Sequence, residues 1–518
     1  MTPHLLSRRF FLNALSRSAA VLPFTDFSFG RAIPFLDNPV SPSQLAADPL
    51  RPQFHLLPKR NWMNDPNGPI FWNGNYHMFF QYNPNAAVWG DMHWNHAVSP
   101  DMVHWKHLPI ALAPTPGGPD ADGCFSGSAV IHDGVPTFLY TGVKSVSPAE
   151  ATLRDGAHNF LETQCLATST DPQLLTWKKL PDPVLLPPQN PNLTGFRDPF
   201  LWRQTNSWLM GVGSGERGVG GQVLLYRSAD LREWHPLPHP LASGKRNSKQ
   251  TADPVDSAEM WECPDFFPLG KKNLLFYSTE RKVFWQSGEL DPKELIFHPQ
   301  KSGLLDYGDF YAPKSQLAAD NRRILWGWIP ETRPESQFSA AGWSGCMSLP
   351  RVLSLDDAGN LQIQFAKELE PLRKTPWSLP PLTTHDGARH EARMKFQLEE
   401  PTAEFQLAFS DKFFNLAISS GKDPLFDLLY DPHTAPHQLK IAQHLIPIPD
   451  TSTGQHQLRL FLDASVLECI LDNSIAFTTR LYFTPNSNLR LAFSGAEAAL
   501  PSLTIWPLRP ISPDRLTT

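Results

Sequence analysis

Between residues 60 and 350 one pattern recurs five times, and it constrains the fold more than any other feature of the chain. A polar or carboxylate-bearing entry leads into an apolar run, then a tight turn, then a second run rich in aromatics. The copies read NDPNGPIFW-NG-NYHMFFQY from Asn64, FSGSAVI-HDG-VPTFLYTG from Phe125, FRDPFLW-RQTN-SWLMGVG from Phe196, WECPDFFP-LGKK-NLLFYS from Trp261 and YAPKSQLA-ADN-RRILWGW from Tyr311. Apolar runs flanking Asn-Gly, Asp-Gly or a similar pair read as β-hairpins. A second signature returns between the copies: Ser99-Pro100-Asp101 ahead of Trp105, Ser169-Thr170-Asp171 ahead of Trp177, and Ser228-Ala229-Asp230 ahead of Trp234. Each predicts a turn feeding an outer strand whose tryptophan packs against the neighbouring unit. Four-stranded units at a spacing of about 50 to 70 residues predict a five-bladed β-propeller over residues 51–353.

Composition agrees with this reading. Proline accounts for 52 of 518 residues, about twice ordinary usage, which favours short strands and turns over long helices. The length exceeds what one core organises, so a second domain is expected. It begins near residue 354, where segments such as AEFQLAF, HQLRLFLD, SVLECILD and SIAFTTRLYF alternate at period two. That texture predicts a β-sandwich over 354–518 and an all-β protein throughout. At the other end, Ser7-Arg8-Arg9-Phe10-Phe11-Leu12 reads as a twin-arginine export signal within residues 1–30, with a linker over 31–50. This predicts a periplasmic or extracellular protein. No run approaches the roughly 18 apolar residues of a membrane span. A formal charge of −6 gives no electrostatic footprint for nucleic acid. The five cysteines (124, 165, 263, 346 and 469) lie far apart without CxxC spacing, which fits neither a disulfide framework nor a zinc site.

The repeat also places the chemistry. First strands of propeller blades line the central channel, so equivalent positions converge at one mouth of it. Asp65, Asp198 and Glu262 read as holding that position in blades one, three and four. A lone Asp-Pro more often caps its own turn; three carboxylates in matching contexts outweigh that reading. Three such groups beside tryptophans, with no spaced metal-ligand cluster and no Ser-His-Asp arrangement, point to carbohydrate hydrolysis without cofactor or metal. His55, His93, His96, His104 and His107 lack spaced partners and read as structural or hydroxyl-binding. Cys263 reads as a small buried residue.

The motifs WMNDPNGP (62–69), FRDP (196–199) and WECP (261–264) resemble the three signatures of glycoside hydrolase family 32, which contains invertases, levanases and inulinases. FFQYNP, FSGSAV, DYGDFYAP and GWSGCMSLPR extend the resemblance over residues 50–350, and DASVLE (463–468) carries it weakly into the second domain. The resemblance implies a retaining double displacement at a terminal β-D-fructofuranosyl unit of sucrose or of a levan- or inulin-type fructan. It makes Asp65 the nucleophile, Glu262 the acid/base, and Asp198 the holder of sugar hydroxyls, with Arg197 orienting the carboxylates. Asn64, Gln81, Trp89, Phe125 and Ser126 match positions that shape a fructose pocket. Like charges close together resist joint ionisation, so the acid/base keeps its proton until the nucleophile is esterified. GWIPETRP at 327–334 and the long segment from Val143 to Gln164 depart from the family's pattern, both where a leaving group would lie. The rivals are a five-bladed arabinan or xylan hydrolase, a sugar-binding module without turnover, and a fructosyltransferase.

Overall fold

A computed structural model describes residues 40–518 apart from 248, 250, 386–390, 434–436, 449–453 and 485–487. The expected export signal falls outside the described residues. The strands Asn61–Trp72, Gly123–His132, Leu193–Gln204, Glu262–Leu269 and Tyr311–Leu317 lie side by side in a closed ring, the fifth packing against the first. Each opens an antiparallel sheet that runs outward, so the ring carries five blades. Trp343–Ser344 adds a short parallel strand to Asn61 and Trp62.

The outer turns do what their spacing predicts. Asp101, Asp171 and Asp230 accept hydrogen bonds from the backbone N–H of Val103 (3.0 Å), Gln173 (2.9 Å) and Arg232 (2.9 Å), which are Asx turns. Each delivers its tryptophan to the preceding blade. Trp105 meets Trp326 of blade five edge-on at 5.6 Å, and Trp177 meets Phe79 of blade one at 5.8 Å. Trp234 is buried with Leu139 and Leu166 of blade two.

Two boundaries differ from expectation. The fifth sheet continues through Arg351–Leu355 and Leu361–Phe365, so blade five runs past residue 353. Outer blade strands and sandwich strands share the same period-two alternation, and texture alone does not separate them. The described part of the expected linker is a packed element. Ser41 caps the short helix Pro42–Ala47 in a capping box, Leu45 is buried in the cluster that holds Leu56 and Trp343, and Asp48 accepts the Trp343 indole N–H at 2.7 Å.

The second domain is a sandwich of a seven-stranded and a five-stranded sheet, with Phe405, Leu416, Leu428, Leu460 and Leu491 between them. Its seam with the propeller carries a buried ionic network beside an apolar cluster in which Phe276 and Leu325 meet Phe461 and Ile470. Asp463 accepts the backbone N–H groups of Gln53, Phe54 and His55 at 2.7, 2.9 and 3.0 Å. His55 then bridges Asp463 (2.8 Å) and Glu468 (2.9 Å). Arg351 spans Glu468 (2.6 Å) and Asp306 (2.8 Å), and Asp306 accepts the Thr478 hydroxyl at 2.7 Å.

Candidate active site

Four of the five inner strands share one irregularity, and it builds the site. Arg197, Glu262 and Tyr311 each stand immediately before a one-residue bulge in the pairing with the second strand of their blade. The next residue has a left-handed backbone in all three: Asp198 at φ 63°, Cys263 at φ 47° and Ala312 at φ 52°. Proline follows each time, where the ladder is already broken and no N–H is needed. In blade one the same bulge falls on Asn67-Gly68-Pro69, with Gly68 at φ 44°. The three carboxylates therefore do not hold one repeated position. Asp198 is equivalent to Gly68 and Cys263, Glu262 is equivalent to Arg197 and Tyr311, and Asp65 stands three residues ahead of Gly68, beside a separate register shift between Met63 and Pro66. The Asp-Pro dipeptides of NDP and RDP look alike in sequence, but bulges put them out of register.

Equivalence has a direct consequence for the site. The three residues that share the pre-bulge position hydrogen-bond in a row around the channel. Arg197 donates to one Glu262 oxygen through Nε (3.2 Å) and Nη2 (2.9 Å), and the Tyr311 hydroxyl donates to the other at 2.7 Å. Arg197 Nη1 reaches Glu162 at 2.8 Å. Glu162 is anchored in turn by the Phe196 N–H (2.7 Å) and the Thr152 hydroxyl (2.9 Å).

Asp65 sits in a closed hydrogen-bond circuit in which each link fixes the next. The Trp62 indole donates to the Asn64 carbonyl oxygen at 2.7 Å, so the Asn64 amide N–H₂ donates to Asp65 (3.0 Å) and to Gln81 (2.7 Å). Gln81 then donates to Ser126 Oγ at 2.9 Å, and that hydroxyl donates to the second Asp65 oxygen at 2.6 Å. Both Asp65 oxygens are thus acceptors of oriented donors. Cys263 ties the acids together: its Sγ lies 3.4 Å from Asp65 and 3.5 Å from Asp198, and its N–H donates to Asp198 at 2.8 Å. It is buried, as expected, and it is also a contact of two of the three acids. Phe125 meets Trp89 edge-on at 5.8 Å and Phe160 at 6.1 Å, forming an aromatic wall with Trp62 and Trp328.

These groups open on a cavity of about 670 Å³ whose lining includes Asp65, Trp89, Phe125, Arg197, Glu262 and Trp328, a size suited to small-molecule ligands. Asn64, Gln81, Ser126 and Asp198 sit directly behind its inner wall. The structure therefore brings all nine sequence-predicted residues to one place. At the inner end of the cavity Arg197 is ion-paired with Glu162 and Glu262 and lies 4.0 Å from Asp198, so several carboxylates share this cation. Burial, with Glu262 and Asp65 adding to it against Arg197, pushes Asp198 up to about 6. The same causes, burial and then Glu262, push Asp253 up to about 6. Burial together with the neighbouring acids raises the Cys263 thiol well above its ordinary range, so it remains a neutral donor.

Sequence reasoning missed Glu162, Asp253 and Tyr311 as site residues. Glu162 carried a usable signal, a single carboxylate inside the buried strand Asn159–Thr168. Tyr311 marked the fifth repeat but was given no chemical role. Asp253 lies in a loop with no motif. The histidines fall elsewhere: His55 is in the seam, and His96 is buried 2.9 Å from His77 in blade one.

The match to the model "Glycosyl hydrolases family 32 N-terminal domain" covers residues 55–364. Among curated proteins, the chain is 37% identical to the sucrose-6-phosphate hydrolase of Escherichia coli over 88% of its own length and 94% of the relative's. It is 35% identical to an Escherichia coli raffinose invertase over 88% and 95%. Among solved structures, the Bombyx mori GH32 beta-fructofuranosidase superposes with a TM-score of 0.74 at 29% identity, covering 90% of this chain and 96% of that one. Fructan 1-exohydrolase IIa from Cichorium intybus gives 0.73 at 26% identity, over 89% and 98%.

Proposed function

The chain belongs to glycoside hydrolase family 32, and from that premise we propose that it hydrolyses terminal β-D-fructofuranosyl bonds by a retaining double displacement. One observation carries the reading: Asp65 and Glu262 open on a single cavity, each held by donors from neighbouring blades. Asp65 attacks the anomeric carbon. Its two oxygens are already aimed by Asn64 and Ser126, so little reorganisation is needed at the moment of reaction. Glu262 protonates the departing oxygen, with Arg197 and Tyr311 fixing its carboxyl plane. Esterification of Asp65 removes one negative charge from the cluster, and Glu262 then yields its proton more readily and serves as base toward water. Asp198 accepts hydrogen bonds from sugar hydroxyls, and the Trp89–Phe125 wall packs on the ring. The relatives' printed substrates, sucrose-6-phosphate and raffinose, and the sucrose and 1-kestose complexes of the structural neighbours support a sugar donor with a fructosyl end.

Product chromatography from sucrose, inulin and levan tests the bond class, chain-end preference and transfer together. Free fructose is the expected product, and the first anomer seen by NMR should be the retained one. Arabinose release from arabinan, or an inverted first anomer, would overturn the reading. Export is proposed on the Arg8-Arg9 segment alone; replacing both by Lys should leave the protein in the cytoplasm, and unchanged export would count against it.

A further inference from the structure

The catalytic cavity has a wall that the propeller does not supply. Strands Gln438–Ile441 and His444–Pro447 of the sandwich pair as a hairpin, with Ala442 at φ 51° in its turn. The hairpin is the edge of the seven-stranded sheet. Gln443, His444 and Leu445 at its tip line the same cavity as Asp65 and Glu262, together with the blade-four turn Glu280–Lys282. Burial gives the cavity a direction. Asn64, Gln81 and Ser126 close its inner end and are sealed from solvent, Tyr311 is partly buried, and Lys282 and Leu445 stand at the solvent end. A fructosyl ring seated on Asp65 therefore directs its leaving group outward past Glu262 and Tyr311, to a rim of which the hairpin tip is one side.

The tip has the composition of a sugar platform. Leu445 is 59% exposed, one of few large apolar residues left so open among the described residues. Beside it, His444 is held edge-on by Phe477 at 5.5 Å. Burial and the nearby Lys282 keep this imidazole below its ordinary range, hence neutral at pH 7 and able to hydrogen-bond without ionic demands. An apolar face next to a neutral hydrogen-bonding ring matches the apolar face and hydroxyl edge of a pyranose or furanose.

We propose that this hairpin is an outer leaving-group subsite, in which His444 and Leu445 receive the second ring of a disaccharide leaving group. Trisaccharide donors with a terminal fructosyl unit are then better substrates than sucrose. The inference rests on the fructosidase reading above. The test is the ratio of kcat/KM for raffinose and for 1-kestose to that for sucrose, measured on one preparation so that the amount of folded enzyme cancels. The wild-type ratio should exceed one. It should fall at least fivefold in Leu445→Asp and in His444→Ala, mainly through KM for the trisaccharides, and should rise in Leu445→Trp. A wild-type ratio of one or less, or the same ratio in all variants, would overturn the subsite. A wild type that releases no fructose from any of the three sugars would overturn the fructosidase reading, and the subsite with it.

Discussion

The buried ionic clusters at the domain seam and in the cavity are built on opposite principles. At the domain seam, opposite charges are matched. Arg351 serves Glu468 and Asp306, His55 serves Asp463 and Glu468, and Glu331 is held by Arg333 (2.7 Å) and Arg480 (3.2 Å). Burial alone would raise these acids, yet where a cation pairs with them it is outweighed: Glu468 is lowered, and Glu331, which also reaches the cavity wall, falls to about 2, while Asp309 beside Asp306 is pushed up to about 6. Around Arg197 several carboxylates share one cation, and burial wins, holding Asp198 and Asp253 at about 6. The same desolvation acts in both places; the supply of cations decides the sign. A matched cluster locks two domains together. An unmatched one holds the proton and the negative charge that the proposed double displacement uses and restores in each turnover.

The largest break in this comparison comes from the cavity. Asp65→Ala should lower turnover on every fructoside by about 10⁴-fold or more, since no fructosyl-enzyme can form. Its melting temperature should stay level or rise, because a charge leaves a crowded cluster. Glu262→Ala should lose about 10² to 10⁴-fold on sucrose. It should still accumulate the intermediate from an activated fructoside, and azide should restore turnover to a retained fructosyl azide. If azide rescued Asp65→Ala to that product instead, the two roles would be reversed.

The seam should break in the other currency. Arg351→Ala leaves Asp306 without its cation and Glu468 with His55 alone, and breaking a buried ion pair typically costs about 3 to 5 kcal/mol. Denaturant unfolding should show that loss, while kcat per folded molecule stays at the wild-type value. Arg351→Met combined with Glu468→Gln should lose less than Arg351→Met alone, because the orphaned charge goes too. Equal losses would mean that the orphaned Glu468 charge costs nothing, and with it the argument that cations are what settle the seam would fail.

Both clusters were unequally legible in the chain. The propeller could be read because hairpin turns and outer tryptophans recur, and the packing of Trp105, Trp177 and Trp234 follows from that recurrence. The three acids could be named from the motifs around them. Their register could not, since a bulge is a pairing event and Gly68, Asp198, Cys263 and Ala312 have nothing in common as residue types except the proline after them. The seam was invisible for a related reason. Glu468 and Arg351 lie more than a hundred positions apart in sequence, and although DASVLE and GWSGCMSLPR stand out as segments, only the fold makes their charges partners. Asp253 escaped because a loop carboxylate gains its character from neighbours that arrive by folding.

Asp253 offers the finest test of the contrast, because the two clusters should respond to pH with opposite slopes. Glu331 has a folded value near 2 against an ordinary 4.5, so its contribution is present above pH 4.5 and is lost as pH falls through 2. Asp253 has a folded value near 6 against an ordinary 3.8. Its folded form keeps the proton longer than the unfolded chain does, so stability is full below pH 3.8 and declines as pH rises through 6. The shift sets an upper bound of about 3 kcal/mol on that decline. Asp253→Asn keeps the acceptor that takes the Val255 N–H at 3.0 Å and removes only the ionisation. The variant should therefore melt higher than wild type at pH 7 and at the same temperature at pH 4. Asp256→Asn is the control: its partner Arg281 is half exposed at 3.2 Å, an arrangement worth about 0 to 1 kcal/mol, and losing it should leave stability level or slightly lower at pH 7. If Asp253→Asn instead melted lower at pH 7, the cavity cluster would be compensated in the same way as the seam, and the distinction between them would fail.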